Sequence, residues 1–177
     1  SLTENLIKEN KSLFIKKRDE ILQNNDSNKS ERVYVTVGFK GTILTSVNGL
    51  TWKKEKSGTD LNLKGITFGK GQFLAVGQSG TILSSESGDI WEKRKSNSKV
   101  SLSSVAYGNG LFVVVGLNGT ILTSSNGISW TKRNSKTKVI LYGVTYGNGL
   151  FIAVGEQGII LSSEDGRNWR KTITRKT

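Results

Sequence analysis

The chain has 177 residues, enough for one domain with a sizeable core, and carries a formal net charge of +12 with neither cysteine nor histidine. Without those two residue types it has no disulfide framework, thiolate zinc site or thiol nucleophile. It also lacks the commonest general base and metal ligand, so no metal and no cofactor are expected. The longest purely apolar runs reach only five residues, as at Leu111–Val115, far short of the ~20 residues of a membrane-spanning helix, and no apolar core of a signal peptide follows the N-terminal lysines.

In chain order, residues 3–23 come first. Leu6, Ile7, Leu13, Phe14, Ile21 and Leu22 recur there at helical spacing, with Thr3 as a cap, and predict one N-terminal α-helix. It would pack on the rest of the chain or pair with a second copy through Ile7, Phe14 and Ile21. Residues 24–30 read Asn-Asn-Asp-Ser-Asn-Lys-Ser, a polar linker, so 1–30 form a helix-and-linker segment.

From residue 31 the chain repeats itself. Trp52, Trp91, Trp130 and Trp169 follow one another at a constant spacing, and Gly49, Gly88, Gly127 and Gly166 each precede one of them by three places. Four copies in an unbroken register, 31–62, 63–101, 102–140 and 141–177, are an internal repeat. In the second copy Leu63–Gly69 is a strand and Gly69-Lys-Gly71 a tight turn, matched by Gly108-Asn-Gly110 and Gly147-Asn-Gly149. Gln72–Val76 is a second strand, apolar at consecutive positions and so expected to be covered on both faces. Gly77–Gly80 turns the chain, Thr81–Ser85 is the third strand, Ser87-Gly88 a turn, and Ile90–Arg94 the fourth strand.

Four short strands joined by glycine turns form an antiparallel meander whose two faces must both be covered, and radial stacking of copies achieves this. The expected fold is therefore all-β: a β-propeller of four four-stranded blades, the first incomplete because residues 24–30 carry no strand pattern. Such a ring would close as a small four-bladed disc, with a second copy, or with the rest of a longer parent chain.

Each tryptophan ends a phrase of one kind: Thr45–Trp52, Ser84–Trp91, Thr123–Trp130 and Ser162–Trp169. These phrases resemble the Asp-box of bacterial neuraminidase-type (BNR-like) repeats. With Phe-x-Ala-Val-Gly and Gly-Thr-Ile-Leu they resemble propellers of the photosystem II stability/assembly factor-like type, over residues 31–177. The usual Asp of the box falls here on Val47, Glu86, Ser125 and Glu164. The nearest acid, amide or hydroxyl is one place later, at Asn48, Ser87, Asn126 and Asp165. The box is therefore read as a structural turn whose side chain bonds local backbone groups and whose tryptophan packs between sheets.

Two features suggest a recognition surface. Basic residues cluster in or just after each Trp strand, for example Lys53, Lys54, Lys93, Arg94, Lys132, Arg133, Arg170 and Lys171. This basic rim protects edge strands from aggregation, or contacts a polyanion. Meanwhile the turns between second and third strands differ in every copy: Phe39-Lys40, Gln78-Ser79, Leu117-Asn118 and Glu156-Gln157. The connectors 57–62, 96–101 and 135–140 vary as well, and in a propeller they emerge on the same face. That variable-loop face is the expected binding surface, because scaffold positions must repeat while a recognition surface need not.

Catalysis is not expected. Neuraminidase-type sites need converging arginines, a tyrosine nucleophile and paired acids, whereas Arg94, Arg133, Arg170 and Arg175 fall beside or after the tryptophans. The resemblance implies a non-catalytic scaffold for protein–protein interaction or assembly. The alternative is a glycan- or polyanion-binding, lectin-like module of a bacterial surface, secreted or phage-tail protein. The expected partner is accordingly a protein or a glycan.

Overall fold

The structure is a computed structural model describing residues 33–172; the helix and linker expected over residues 1–30 lie outside them. The described residues form four antiparallel sheets, each a meander in chain order. Blade 1 holds β1 (Tyr34–Val37), β2 (Ile43–Ser46) and β3 (Lys53–Glu55). Blade 2 holds β4 (Leu63–Gly69), β5 (Gln72–Gly77), β6 (Ile82–Ser85) and β7 (Glu92–Arg94). Blade 3 holds β8 (Leu102–Gly108), β9 (Leu111–Gly116), β10 (Ile121–Ser124) and β11 (Thr131–Arg133). Blade 4 holds β12 (Leu141–Gly147), β13 (Leu150–Gly155), β14 (Ile160–Ser163) and β15 (Arg170–Lys171). The β-propeller architecture, the three-stranded first blade and the hairpin register agree with the repeat pattern.

Local chemistry sets these elements. The first hairpin of each full blade turns on two left-handed residues: Lys70 and Gly71 (φ 51° and 75°), Asn109 and Gly110 (46° and 71°), Asn148 and Gly149 (48° and 78°). That is the geometry a two-residue hairpin needs to match strand twist. Each innermost strand carries a bulge at Lys64, Ser103 or Tyr142, where the pairing with the next strand shifts by one residue. The outermost strands start later than Ile90 and its equivalents. The turn before them continues through the tryptophan, whose indole N–H donates to the carbonyl of Gly88 (2.7 Å), Gly127 (3.2 Å) or Gly166 (3.0 Å) in blades 2, 3 and 4.

That turn is closed by the residue one place after the usual Asp. Asn48 Oδ1 accepts from the N–H groups of Leu50 and Thr51 (2.9 and 3.0 Å), and Asn126 Oδ1 from those of Ile128 and Ser129 (2.9 and 3.0 Å). Asp165 Oδ1 does the same for Arg167 and Asn168, both at 2.8 Å. In blade 2 Ser87 cannot span that distance; it donates to Asp89, which accepts from the Ile90 N–H instead.

The core lies between blades. Leu74, Val76 and Ile82 of blade 2 meet Leu102, Phe112, Val114, Leu122 and Trp130 of blade 3. One repeat on, Val113, Val115 and Ile121 meet Leu141, Phe151, Ala153, Leu161 and Trp169. Val35, Val37 and Ile43 meet Leu63, Ala75, Leu83 and Trp91 in the same way. Trp91, Trp130 and Trp169 thus each pack on the blade before their own. At about 1.5–3 kcal/mol per fully buried apolar side chain, these seams are the main stabilising term. Innermost strands approach closely because they end in glycine: a Cβ on Gly69 or Gly108 would sit 2.1 or 2.0 Å from the Tyr107 or Tyr146 ring of the next blade.

Candidate functional site: the loop face

The turns between second and third strands share one backbone. In blade 2 the Gly77 N–H donates to Thr81 O (3.0 Å) and the Thr81 N–H to Gln78 O (3.0 Å), and the same pair of bonds recurs in the other three blades. The second variable residue is left-handed every time: Lys40 at φ 50°, Ser79 at 53°, Asn118 at 55° and Gln157 at 56°. Non-glycine residues adopt this conformation only where their surroundings impose it. In blades 1, 2 and 3 the glycine that follows is wedged against the outgoing connector. A Cβ on Gly41, Gly80 or Gly119 would lie 1.8, 1.9 or 2.1 Å from the carbonyl oxygen of Thr59, Ser98 or Thr137. That connector is itself pinned by the buried hydroxyls of Ser57, Ser96 and Ser135, which donate to those same carbonyls at 3.0, 3.3 and 3.2 Å.

The first variable residue is tied to the incoming connector. The Gln78 N–H donates to Asn62 O (2.9 Å), and Gln78 Oε1 accepts from the Asn62 N–H (3.0 Å). Glu156 repeats both bonds with Ile140, at 2.9 and 3.2 Å, whereas Leu117 keeps only the backbone bond, to Ser101 O at 3.0 Å. The eight variable-loop residues therefore share one face but divide in two. Gln78 and Glu156 are partly committed to holding neighbouring blades together. Lys40, Ser79, Asn118 and Gln157 are exposed. Phe39 is 66% exposed, with the Lys40 ammonium 5.6 Å from its ring centroid, a cation–π pair at the surface.

The connectors add a second row of left-handed, exposed residues that periodicity does not mark: Gly58, Asn97 and Lys136. The signal was the Ser that precedes each of them. Between one connector and the next blade, Asn97, Lys99, Asn118, Trp130 and Lys132 line a hollow of about 270 Å³. Tyr142, exposed on its bulge, donates to Glu156 Oε1 (3.3 Å), and its hydroxyl titrates above the usual tyrosine range through partial desolvation and the Glu156 charge.

Charge separates the two ends of the blades. The loop face carries Lys40, Lys56, Lys95, Lys99, Lys136 and Lys138 against Asp60 and Glu156. The opposite end carries Glu86, Asp89, Glu164 and Asp165 against Lys70 and Arg167. The rim arginines do not converge on a centre: Arg94 Nε donates to Ser84 Oγ (2.7 Å) and Arg133 Nε to Thr123 Oγ1 (2.9 Å), each along its own sheet. Among the described residues, no group of three or more Asp and Glu side chains is placed to hold a metal ion. No helix there is long and apolar enough to cross a membrane.

No curated protein matches the chain. Among solved structures it is similar to YCF48 from Cyanidioschyzon merolae, at 24% identity and a TM-score of 0.60, over 68% of this chain and 42% of that one. It is also similar to the YCF48 of a structure described as bound to D1 peptide, at 19% identity and a TM-score of 0.66, over 84% of this chain and 51% of that one. The chain thus spans about half the length of the solved chains it matches, and at these identities the likeness is one of fold. Residues 72–177 match the DUF6242 beta propeller domain, which is more than half of the sequence: the chain belongs to that family.

Proposed function

We propose that this chain is a non-catalytic binding module that holds a segment of a protein partner on its loop face. One observation carries the reading: along that face the backbone is fixed by repeated contacts, while the exposed side chains differ from blade to blade. Drift in unconstrained loops would loosen the backbone as well as vary the side chains. A rigid frame with changing tips is what preorganised recognition requires. The excess of lysine suits an acidic segment, and exposed Phe39 beside Lys40 suits an apolar or aromatic anchor within it. In support, YCF48, which shares the fold, has been solved bound to D1 peptide. The non-catalytic part of the reading follows from a chain without histidine or cysteine and from rim arginines engaged within their own sheets.

Panning a displayed library of random peptides against the chain tests this. Selected peptides should be acidic, and the double variant Lys40→Glu, Lys136→Glu should bind them at least ~10-fold more weakly, about 1.4 kcal/mol. Lys70→Glu, at the opposite end of the blades, should leave binding unchanged. Equal loss from both variants would place the site elsewhere. Failure to select any peptide, with salt-sensitive retention on a sulfated glycan column, would move the reading to the polyanion alternative.

A further inference from the structure

The loop face repeats one brace and omits it once. In blade 2 Gln78 Oε1 accepts from the N–H of Asn62 (3.0 Å), and in blade 4 Glu156 Oε2 accepts from the N–H of Ile140 (3.2 Å). Blade 3 puts Leu117 at that position, and its side chain can accept nothing. The backbone there is unchanged, since the Leu117 N–H still donates to Ser101 O at 3.0 Å. Among the described residues the Ser101 N–H has no acceptor, and the Ser101 hydroxyl is the one buried side-chain polar atom without a hydrogen-bond partner. Buried polar groups are normally paired, and each exception calls for a reason. Both donors belong to one residue, at a corner that joins blades 2 and 3 away from either end of the chain.

The bulge residues set how open each corner is. In blade 4 Tyr142 reaches across to Glu156 Oε1 (3.3 Å). Its counterpart on the bulge of blade 3 is Ser103, too short to cover a corner in that way, and Leu117 is only partly buried. The corner also lies among cations. Exposed Lys99 precedes Ser101 by two residues on the same connector. Exposed Lys64 stands on the bulge of blade 2, beside Gly65, whose Cβ would lie 3.1 Å from the Ser104 Cα of blade 3.

We infer that this corner is a subsite for a side-chain carboxylate of the partner, which takes in blade 3 the place that Glu156 takes in blade 4. One carboxylate oxygen accepts from the Ser101 N–H, and rotation of the Ser101 side chain brings its hydroxyl to the same carboxylate. Leu117 lies along the methylene groups of the incoming Glu or Asp. Lys64 and Lys99 favour a charged acceptor over an amide, and charge-assisted bonds are the stronger ones. The subsite rests on the loop-face reading and assigns one acidic residue of the bound segment to one corner of that face.

Amide NMR of the full chain tests it with two blocked tripeptides, acetyl-Gly-Glu-Gly-amide and acetyl-Gly-Gln-Gly-amide. The Glu peptide should move the Ser101 amide downfield with a Kd on the order of 1 mM, and the Gln peptide should bind about 10-fold more weakly. Leu117→Gln gives blade 3 the brace of blade 2 without adding charge, so the response of Ser101 to the Glu peptide should disappear. A dispersed amide spectrum shows that the variant is folded. If it is not, Ser101→Ala decides instead, since loss of the hydroxyl should weaken the Glu peptide about 10-fold. No shift at Ser101, equal shifts from both peptides, equal shifts at Asn62 and Ile140, or a shift that survives Leu117→Gln would each overturn the subsite. The two readings fail separately. Panned peptides that lose affinity in the Lys40→Glu, Lys136→Glu variant but keep it in Leu117→Gln would leave the face right and the corner wrong. A panning that selects nothing, with Ser101 still answering the Glu peptide and Leu117→Gln blocking it, would leave the corner right and the face wrong.

Discussion

Blade 3 and blade 1 are built from nearly the same phrases, yet they are not buried alike. In blade 3 every residue of β9 is buried, because a blade lies on each side. In blade 1 the strand β1 alternates exposed and half-buried, because among the described residues only blade 2 lies against it, and β13 of blade 4 alternates for the corresponding reason. Ile-Leu-Thr-Ser occurs in both β2 and β10; in β10 all four residues are buried, in β2 Leu44 is only partly so. Burial in a repeat fold is therefore a property of the seam, not of the residue. The same tryptophan or glycine has a different energetic role according to whether the next blade is present.

The largest test of that difference is tryptophan removal. Trp169→Ala empties a buried site between blades 3 and 4 and should cost about 3–5 kcal/mol in urea denaturation. Trp52→Ala, measured beside it, should cost roughly half that or less, in proportion to the area it buries. Equal costs would mean that blade 1 has a neighbour after all.

A sharper version uses a pair that differs by one carbon. Gly108 and Gly147 both end an innermost strand and neither needs a positive φ, so alanine strains the backbone at neither position. At Gly108 the new methyl would sit 2.0 Å from the Tyr146 ring and must push it aside, a cost of about 1–3 kcal/mol. At Gly147 nothing lies within 4 Å, and the loss of unfolded-state freedom should make alanine neutral or stabilising by up to ~1 kcal/mol. Thermal unfolding of the two variants should shift in opposite directions or, at the least, by clearly different amounts.

Much of this was legible in the sequence because a blade is specified locally. Asn109-Gly110 dictates a hairpin, and the apolar run of β9 dictates cover on both sides. The seams were not legible, since Trp52 and Trp169 sit in equivalent phrases and differ only in what lies beyond them. The left-handed positions on the loop face were hidden for a related reason. Lys40, Ser79, Asn118 and Gln157 share no side-chain chemistry; what they share is the turn's backbone bonds, and in blades 1 to 3 the following glycine is wedged against a connector carbonyl. Nor could variability separate Gln78 and Glu156, which brace connectors, from the exposed residues beside them. Only the hydrogen bonds to Asn62 and Ile140 do that.

The smallest effect distinguishes turns that are otherwise alike. Asn48 and Asn126 close their turns with an amide that does not titrate near neutrality, while Asp165 does so with a carboxylate. The Asn168 N–H holds that carboxyl well below the usual carboxylate range, helped by the Arg167 N–H, the Asn168 amide and the Ser163 hydroxyl, against a smaller opposing effect of burial. A depressed folded-state pKa stabilises the native chain fully above the unfolded value of about 3.9, and this contribution is lost as pH falls through the folded value. Blade 4 should therefore keep its turn from neutrality down to about pH 4 and weaken below it, whereas blades 1 and 3 should not change through their own turns. Asp165→Asn converts the fourth turn to the form of the other two. The difference in stability between wild type and this variant, followed from pH 7 to pH 2, should be flat above about pH 4 and then fall by under ~1 kcal/mol, since the carboxylate lies close to solvent. All other carboxylates are common to both proteins and cancel, so a difference that is flat to pH 2 would mean that the Asn168 and Arg167 bonds to Asp165 contribute nothing to folding.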